Sequence, residues 1–92
     1  MSRRDAPLPI TYCYRPDVLE WLWRHGVQPA SSTRPELVHE FVSDLYRHEI
    51  RRLRDRLKRG DIPKAGYAER VVELRHKYPL ISLKAREWLV PE

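Results

Sequence analysis

The residues in this chain that most resemble a metal-binding motif are two Glu-x-x-His pairs. They are Glu36/His39 and Glu73/His76, and di-iron helical bundles use such pairs with further glutamates on inward-facing helix surfaces. At 100° per residue, the first pair lies roughly 120–180° from the apolar face of its helix and the second lies roughly 150° away. Metal ligands must converge on the interior, so both pairs are predicted to face solvent. Neither a metal nor a cofactor is expected.

The remaining polar residues offer no catalytic constellation. The sequence contains no glycine-rich phosphate loop, no Cys-x-x-Cys and no His-Glu-x-x-His. The acidic row Glu36, Glu40 and Asp44 falls in the first half of a predicted helix, where negative charge complements the helix macrodipole. The sequence therefore predicts a protein that is not an enzyme and has no small-molecule substrate.

The chain has a net charge of +5. Its excess of positive charge is concentrated in residues 47–59. An arginine-rich helix surface can contact phosphates in a salt-sensitive manner, or bind the carboxylates of an acidic protein. The alternative is a solvated helix end, because Asp55 can pair with Arg51 and Arg59 at i±4. The candidate phosphate or acidic-partner contacts are Arg47, Arg51, Arg52, Arg54, Arg56, Lys58 and Arg59.

Proline, glycine and capping signals divide the chain into its predicted elements. Pro16 and Gly26 are expected to begin and end helix 1. A capping box, Thr33-Arg34-Pro35-Glu36, is expected to begin helix 2, which ends at Gly60. Helix 3 is expected to start at an Asp61 cap and to end before Pro79. The predicted elements are an extended arm over residues 1–15 and helices over 16–25, 34–59, 62–78 and 83–89.

These elements predict a single all-α domain over residues 1–92. Its expected architecture is a small three-to-four-helix bundle built around one long central helix, with an extended N-terminal arm lying on the domain. No apolar run approaches the roughly 18 residues of a membrane span, and no leader sequence is recognisable. A cytoplasmic location without membrane contact is therefore expected.

The apolar pattern of helix 2 predicts an interface. The centre of its apolar positions moves roughly 100° around the helix between the first half and the second half. Such a rotation implies two different neighbours, so the second half is expected to project and pack against another chain. The first half contributes Leu37, Val38, Phe41, Val42 and Leu45, and the second half contributes Tyr46, Ile50, Leu53 and Leu57.

Trp21 is the second candidate partner-binding feature. Helix 1 is expected to turn an apolar face inward, and Trp21 lies roughly 130° from that face. An outward tryptophan is typical of an interface anchor, although the arm over residues 8–14 could instead fold over it. The residues of the expected inward face are Val18, Leu19, Leu22 and Trp23.

The sequence therefore predicts a small accessory or adaptor protein that acts through protein–protein interaction and associates with itself into a homo-oligomer. The expected partner-binding residues are Trp21, Tyr46, Ile50, Leu53 and Leu57. The alternative is a nucleic-acid-binding module that contacts phosphates through residues 47–59. Salt dependence separates the two, because phosphate contacts weaken steeply with salt and an apolar interface does not.

Overall fold

The computed structural model describes residues 10–91 and confirms the all-α prediction for them. Three α-helices, α1 (Pro16–Arg24), α2 (Pro35–Lys58) and α3 (Lys64–His76), are followed by 3-10 helices at Pro79–Ser82 and Ala85–Trp88. Within residues 10–91 there is no β-strand, and one isolated antiparallel bridge joins Tyr14 to Leu89. None of the helices in this range combines the length and the apolar character that crossing a membrane requires.

Glycine ends two of the α-helices as predicted, but the predicted side-chain caps are wrong. Gly26 and Gly60 follow α1 and α2 with φ angles of 75° and 81°, a conformation that favours glycine. At the start of α2, the Oγ1 atom of Thr33 accepts a hydrogen bond from the Ala30 N–H at 3.0 Å and caps nothing. Asp61 likewise makes no cap, because α3 begins after Pro63. All three α-helices therefore start at or directly after a proline, and none has a side-chain acceptor at its N-cap residue.

The predicted fourth helix over residues 83–89 is also wrong. Extended backbone at Leu83 and Lys84 and one short 3-10 helix at Ala85–Trp88 take its place. A segment this short gains too little from α-helical hydrogen bonds to persist on its own, so tertiary contacts decide its conformation. The decisive contact is Trp88, whose side chain is fully buried and whose Nε1–H donates to the Leu80 carbonyl oxygen at 3.2 Å.

The main core forms where α1, the first half of α2 and the C-terminal segment meet. Its most deeply buried side chains are Val18, Leu22, Val42 and Trp88. Tyr12 and Tyr14 of the predicted arm pack on this core, and the Tyr12 N–H donates to the Ser31 carbonyl, in the loop before α2, at 2.7 Å. Residues 1–9 of the predicted arm lie outside the described range. The buried cluster is completed by Tyr14, Val38, Leu74, Tyr78 and Leu80.

The second half of α2 is paired with α3 in an antiparallel hairpin. Leu53 and Ile62 are buried there, 9% and 2% exposed, yet neither belongs to the main core cluster. Helix α2 also contacts both 3-10 helices. Its 24 residues, about 36 Å of helix, therefore connect the main core to a second, smaller apolar contact in the hairpin.

Candidate functional site

The predicted partner-binding residues of helix 2 lie against the protein itself. Leu53 is buried, and Tyr46, Ile50 and Leu57 are half-buried. The Tyr46 ring meets the Tyr78 ring edge-on at 5.3 Å between centroids. The expectation that this half of the helix projects from the rest of the protein is wrong, because α3 packs along it.

The two tryptophans of α1 face the opposite way from the prediction, with Trp21 toward the core and Trp23 toward solvent. Trp21 is half-buried and packs against the core, with the Arg24 guanidinium 4.5 Å from its ring centroid. Trp23 is 63% exposed and Leu19 is 40% exposed. The core face of α1 is formed by Val18 and Leu22, so the expectation of an outward Trp21 and an inward Trp23 is wrong. Leu19 and Trp23, spaced i and i+4, form what we call the α1 apolar pair.

A matching exposed pair lies in the first half of α2. Leu37 is 58% exposed and Phe41 is 52% exposed, although both were expected to face the core. Val38 and Val42, one position further along, take the core positions instead. Leu37 and Phe41 are also spaced i and i+4 and form the α2 apolar pair. The two pairs place four large apolar side chains in solvent.

All seven basic side chains of residues 47–59 are exposed. Arg47 is paired with Asp44 and Arg59 with Asp61, so the expected pairing of Asp55 with Arg51 and Arg59 is wrong. The other five make no ion pair with any residue between 10 and 91. They are Arg51, Arg52, Arg54, Arg56 and Lys58.

A groove runs between α2 and α3 and reaches the end of α1. Two depressions, of about 630 and 270 Å³, form it, and Glu49 and Lys77 line both. We call it the α2–α3 groove. Trp21 and Tyr78 line the larger depression, whereas Arg52 and Arg70 line the smaller one. The groove therefore has an aromatic end and an arginine-rich end.

Tyr78 organises the aromatic end of the groove. Its hydroxyl donates a hydrogen bond to the Glu49 carboxylate, and its ring stacks on His25 at 4.4 Å. Burial, together with the hydrogen bond and charge of Glu49, raises the pKa of Tyr78 above the usual tyrosine range. Burial lowers the pKa of His25, with the Glu49 charge acting in the opposite direction. Burial therefore favours the neutral form of His25, and Glu49 already accepts a hydrogen bond from Tyr78.

Comparison with known proteins finds no relative. No family model, no curated protein and no solved structure matches this chain.

One of the two Glu-x-x-His pairs does not face solvent. The ring of half-buried His39 lies 5.1 Å from the Trp88 ring, and its Nε2 donates to the Leu83 carbonyl at 2.8 Å. The expectation of a solvent-facing His39 is wrong, whereas Glu36, Glu73 and His76 are exposed as expected. Between residues 10 and 91, no three side chains of the ligating types lie close enough together to hold a metal ion.

The sequence did not single out the exposed pairs or the α3 side of the groove. Arg70 and Lys77 reach the groove only through the register in which α3 packs on α2, which no local pattern reports. Leu37 and Phe41 could have been recognised as a separate pair, because they lie on a different i, i+4 row of the helix from the buried Val38 and Val42.

Proposed function

We propose that this protein is a small cytoplasmic accessory or adaptor protein that works by binding other proteins and that associates with itself. In this proposal α2 is the long central helix of a helical bundle, and its apolar pair contributes to the contact with a partner. The observation that carries the proposal is the exposure of the α1 and α2 apolar pairs. Phe41 and Trp23 each keep more than half of their surface in solvent, and aromatic anchors of this kind dominate protein interfaces.

Two-fold symmetry would use each apolar pair twice. In an isologous dimer that buries both pairs, the two copies together contribute eight large side chains. Because these side chains are only about half exposed, each recovers only half of the full-burial value of about 1.5–3 kcal/mol, against a cost of about 4–15 kcal/mol in lost freedom. The two quantities are of similar size, so the proposed dimer is a weak one, in the micromolar range.

Replacing Phe41 by Glu is expected to convert the dimer to monomer at micromolar concentration. The charged side chain would have to lose its hydration in the interface without a partner. Light scattering measures the mass directly, and circular dichroism checks that the helices are retained, because Phe41 makes no contribution to the buried core.

The matched control is Val72→Glu. Val72 is an exposed apolar residue, 48% accessible, on α3, and its i±4 neighbours Ala68 and His76 form no apolar pair with it. This variant should keep the mass of the unaltered protein. A Phe41→Glu variant that still dimerises, or equal dissociation of both variants, would contradict the assignment of the interface.

Nucleic-acid binding through residues 47–59 is a second candidate, favoured by the five exposed basic side chains that form no ion pair within residues 10–91. Replacing Arg51, Arg52, Arg54 and Lys58 by Gln tests it in a duplex-binding titration. If the protein binds nucleic acid, the binding should be saturable and the replacements should abolish it. Its affinity should also fall by orders of magnitude between about 50 and 200 mM salt. We expect weak, non-saturating binding instead, because Glu36 and Glu40 are exposed on the same helix. Saturable binding near physiological salt would contradict this expectation.

A further inference from the structure

The α2–α3 groove combines a positive lining with an aromatic end. Five cationic side chains line it against the two carboxylates Glu49 and Glu73. The cations are Arg24, Arg52, Arg56, Arg70 and Lys77. Arg24 is paired with Glu20 at 3.0 Å, which leaves four cations against two carboxylates. The electrostatic complement of this groove is an acidic ligand.

The length of the groove indicates an extended chain. Its lining on α2 runs from Leu45 to Arg56, which is about 16 Å at 1.5 Å per residue. An extended polypeptide covers that distance with about five residues. At one end, Trp21, Leu45 and Tyr78 offer an apolar wall of the kind that holds a single large side chain.

The charge pattern favours a peptide over a nucleic acid. A phosphate backbone carries a negative charge at every nucleotide, so it would place phosphates beside Glu49 and Glu73 as well as beside the arginines. A peptide can set a neutral residue opposite each carboxylate.

We propose that the α2–α3 groove binds an extended acidic segment of a partner protein, with one aromatic or large apolar side chain of that segment against Trp21 and Tyr78. This inference deepens the proposal that the protein binds other proteins. It uses none of the four residues of the apolar pairs, so the groove is a second contact site. Arg52 and Arg56 bind the carboxylates of the partner segment, and Lys77 lies where its acidic and aromatic parts meet.

The test is a fluorescence-polarisation titration with a labelled hexapeptide of one tryptophan followed by alternating glutamates and serines, so that neutral residues can lie opposite Glu49 and Glu73. Arg52→Gln/Arg56→Gln removes two groove cations, and Arg51→Gln/Arg54→Gln removes two exposed arginines of the same segment that do not line the groove. We expect the first variant to weaken binding about tenfold and the control to stay within about twofold, since charge-assisted contacts depend on position. Replacing the tryptophan of the peptide by alanine should also weaken binding about tenfold.

Three results would overturn the proposal: no saturable binding at low salt, equal loss of affinity in both double variants, or displacement of the peptide by an oligothymidine that binds more tightly. The last result would assign the groove to single-stranded nucleic acid. Light scattering separates this test from the proposed self-association. Arg52→Gln/Arg56→Gln should keep the mass of the unaltered protein, and Phe41→Glu should bind the peptide with unaltered affinity.

Discussion

Replacing Trp88 by Ala is expected to lower the free energy of unfolding by about 3–5 kcal/mol, the usual cost of removing a buried aromatic side chain. Trp88 is fully buried, and its Nε1–H donates to the Leu80 carbonyl. It also holds the C-terminal segment against α2, where the His39 ring packs on it. A chain of 92 residues typically has a free energy of unfolding of about 5–14 kcal/mol. The substitution therefore removes a large part of the stability.

Thermal denaturation followed by circular dichroism measures this loss, and Trp23→Ala is the matched control. Trp23 is 63% exposed, so at concentrations below self-association its replacement should change the stability by less than about 0.5 kcal/mol. At about 4–8 °C per kcal/mol, the Trp88 variant should melt tens of degrees lower. Similar midpoints for the two variants would contradict the placement of the core.

Replacing Leu53 by Ala is expected to cost about 2–5 kcal/mol, because Leu53 is buried within the hairpin of α2 and α3. The sequence pattern assigned Leu53 to an interface between copies, in which case its loss would change the mass and hardly the stability. The structure gives the opposite expectation, since the side chain is buried within one chain.

Urea denaturation of dilute protein, combined with light scattering, separates these two roles of Leu53. Leu37→Ala is the control: it makes the same change on the same helix at a position that is 58% exposed. Leu53→Ala should lower the urea midpoint clearly, and Leu37→Ala should leave it nearly unchanged. A Leu53 variant with an unaltered midpoint and a lower mass would restore the sequence-based interpretation.

Local signals were enough to predict the three α-helices. Gly26 and Gly60 mark the ends of α1 and α2 because each residue adopts a positive φ. The proline positions mark the beginnings because the ring fixes φ near the helical value. The boundaries of α1, α2 and α3 agree with the predicted ranges to within one or two residues. These features depend on one or two neighbouring residues and need no tertiary information.

The rotation of the apolar stripe on helix 2 is real and has its cause within the chain. The covered residues of the first half and those of the second half remain centred roughly 80° apart at 100° per residue, and the exposed Leu37 and Phe41 add only about 35° more. The second neighbour that such a rotation implies is α3, which packs along the second half, and a pattern on one helix does not identify it. The covered residues are Val38, Val42 and Leu45 in the first half and Tyr46, Ile50, Leu53 and Leu57 in the second.

Tertiary contacts decided the remaining features. Trp21 and Trp23 flank Leu22 on opposite sides of α1, and nothing in the sequence tells which flank packs against the core. Trp88 similarly determines the conformation of the C-terminal segment through its burial and its bond to Leu80. The α2–α3 groove depends on how two helices pair. Sequence periodicity reports none of these relationships.

Sedimentation equilibrium of the unaltered protein is the most direct test of the central claim, that its exposed apolar pairs bind a second copy. The chain has a mass of 11.1 kDa, and at concentrations above micromolar we expect twice that mass. The dimer should persist when the salt is raised, because salt screens charges but does not weaken apolar contacts. A monomer at every concentration would contradict the account. So would a dimer that dissociates at high salt, since charged residues would then hold it together.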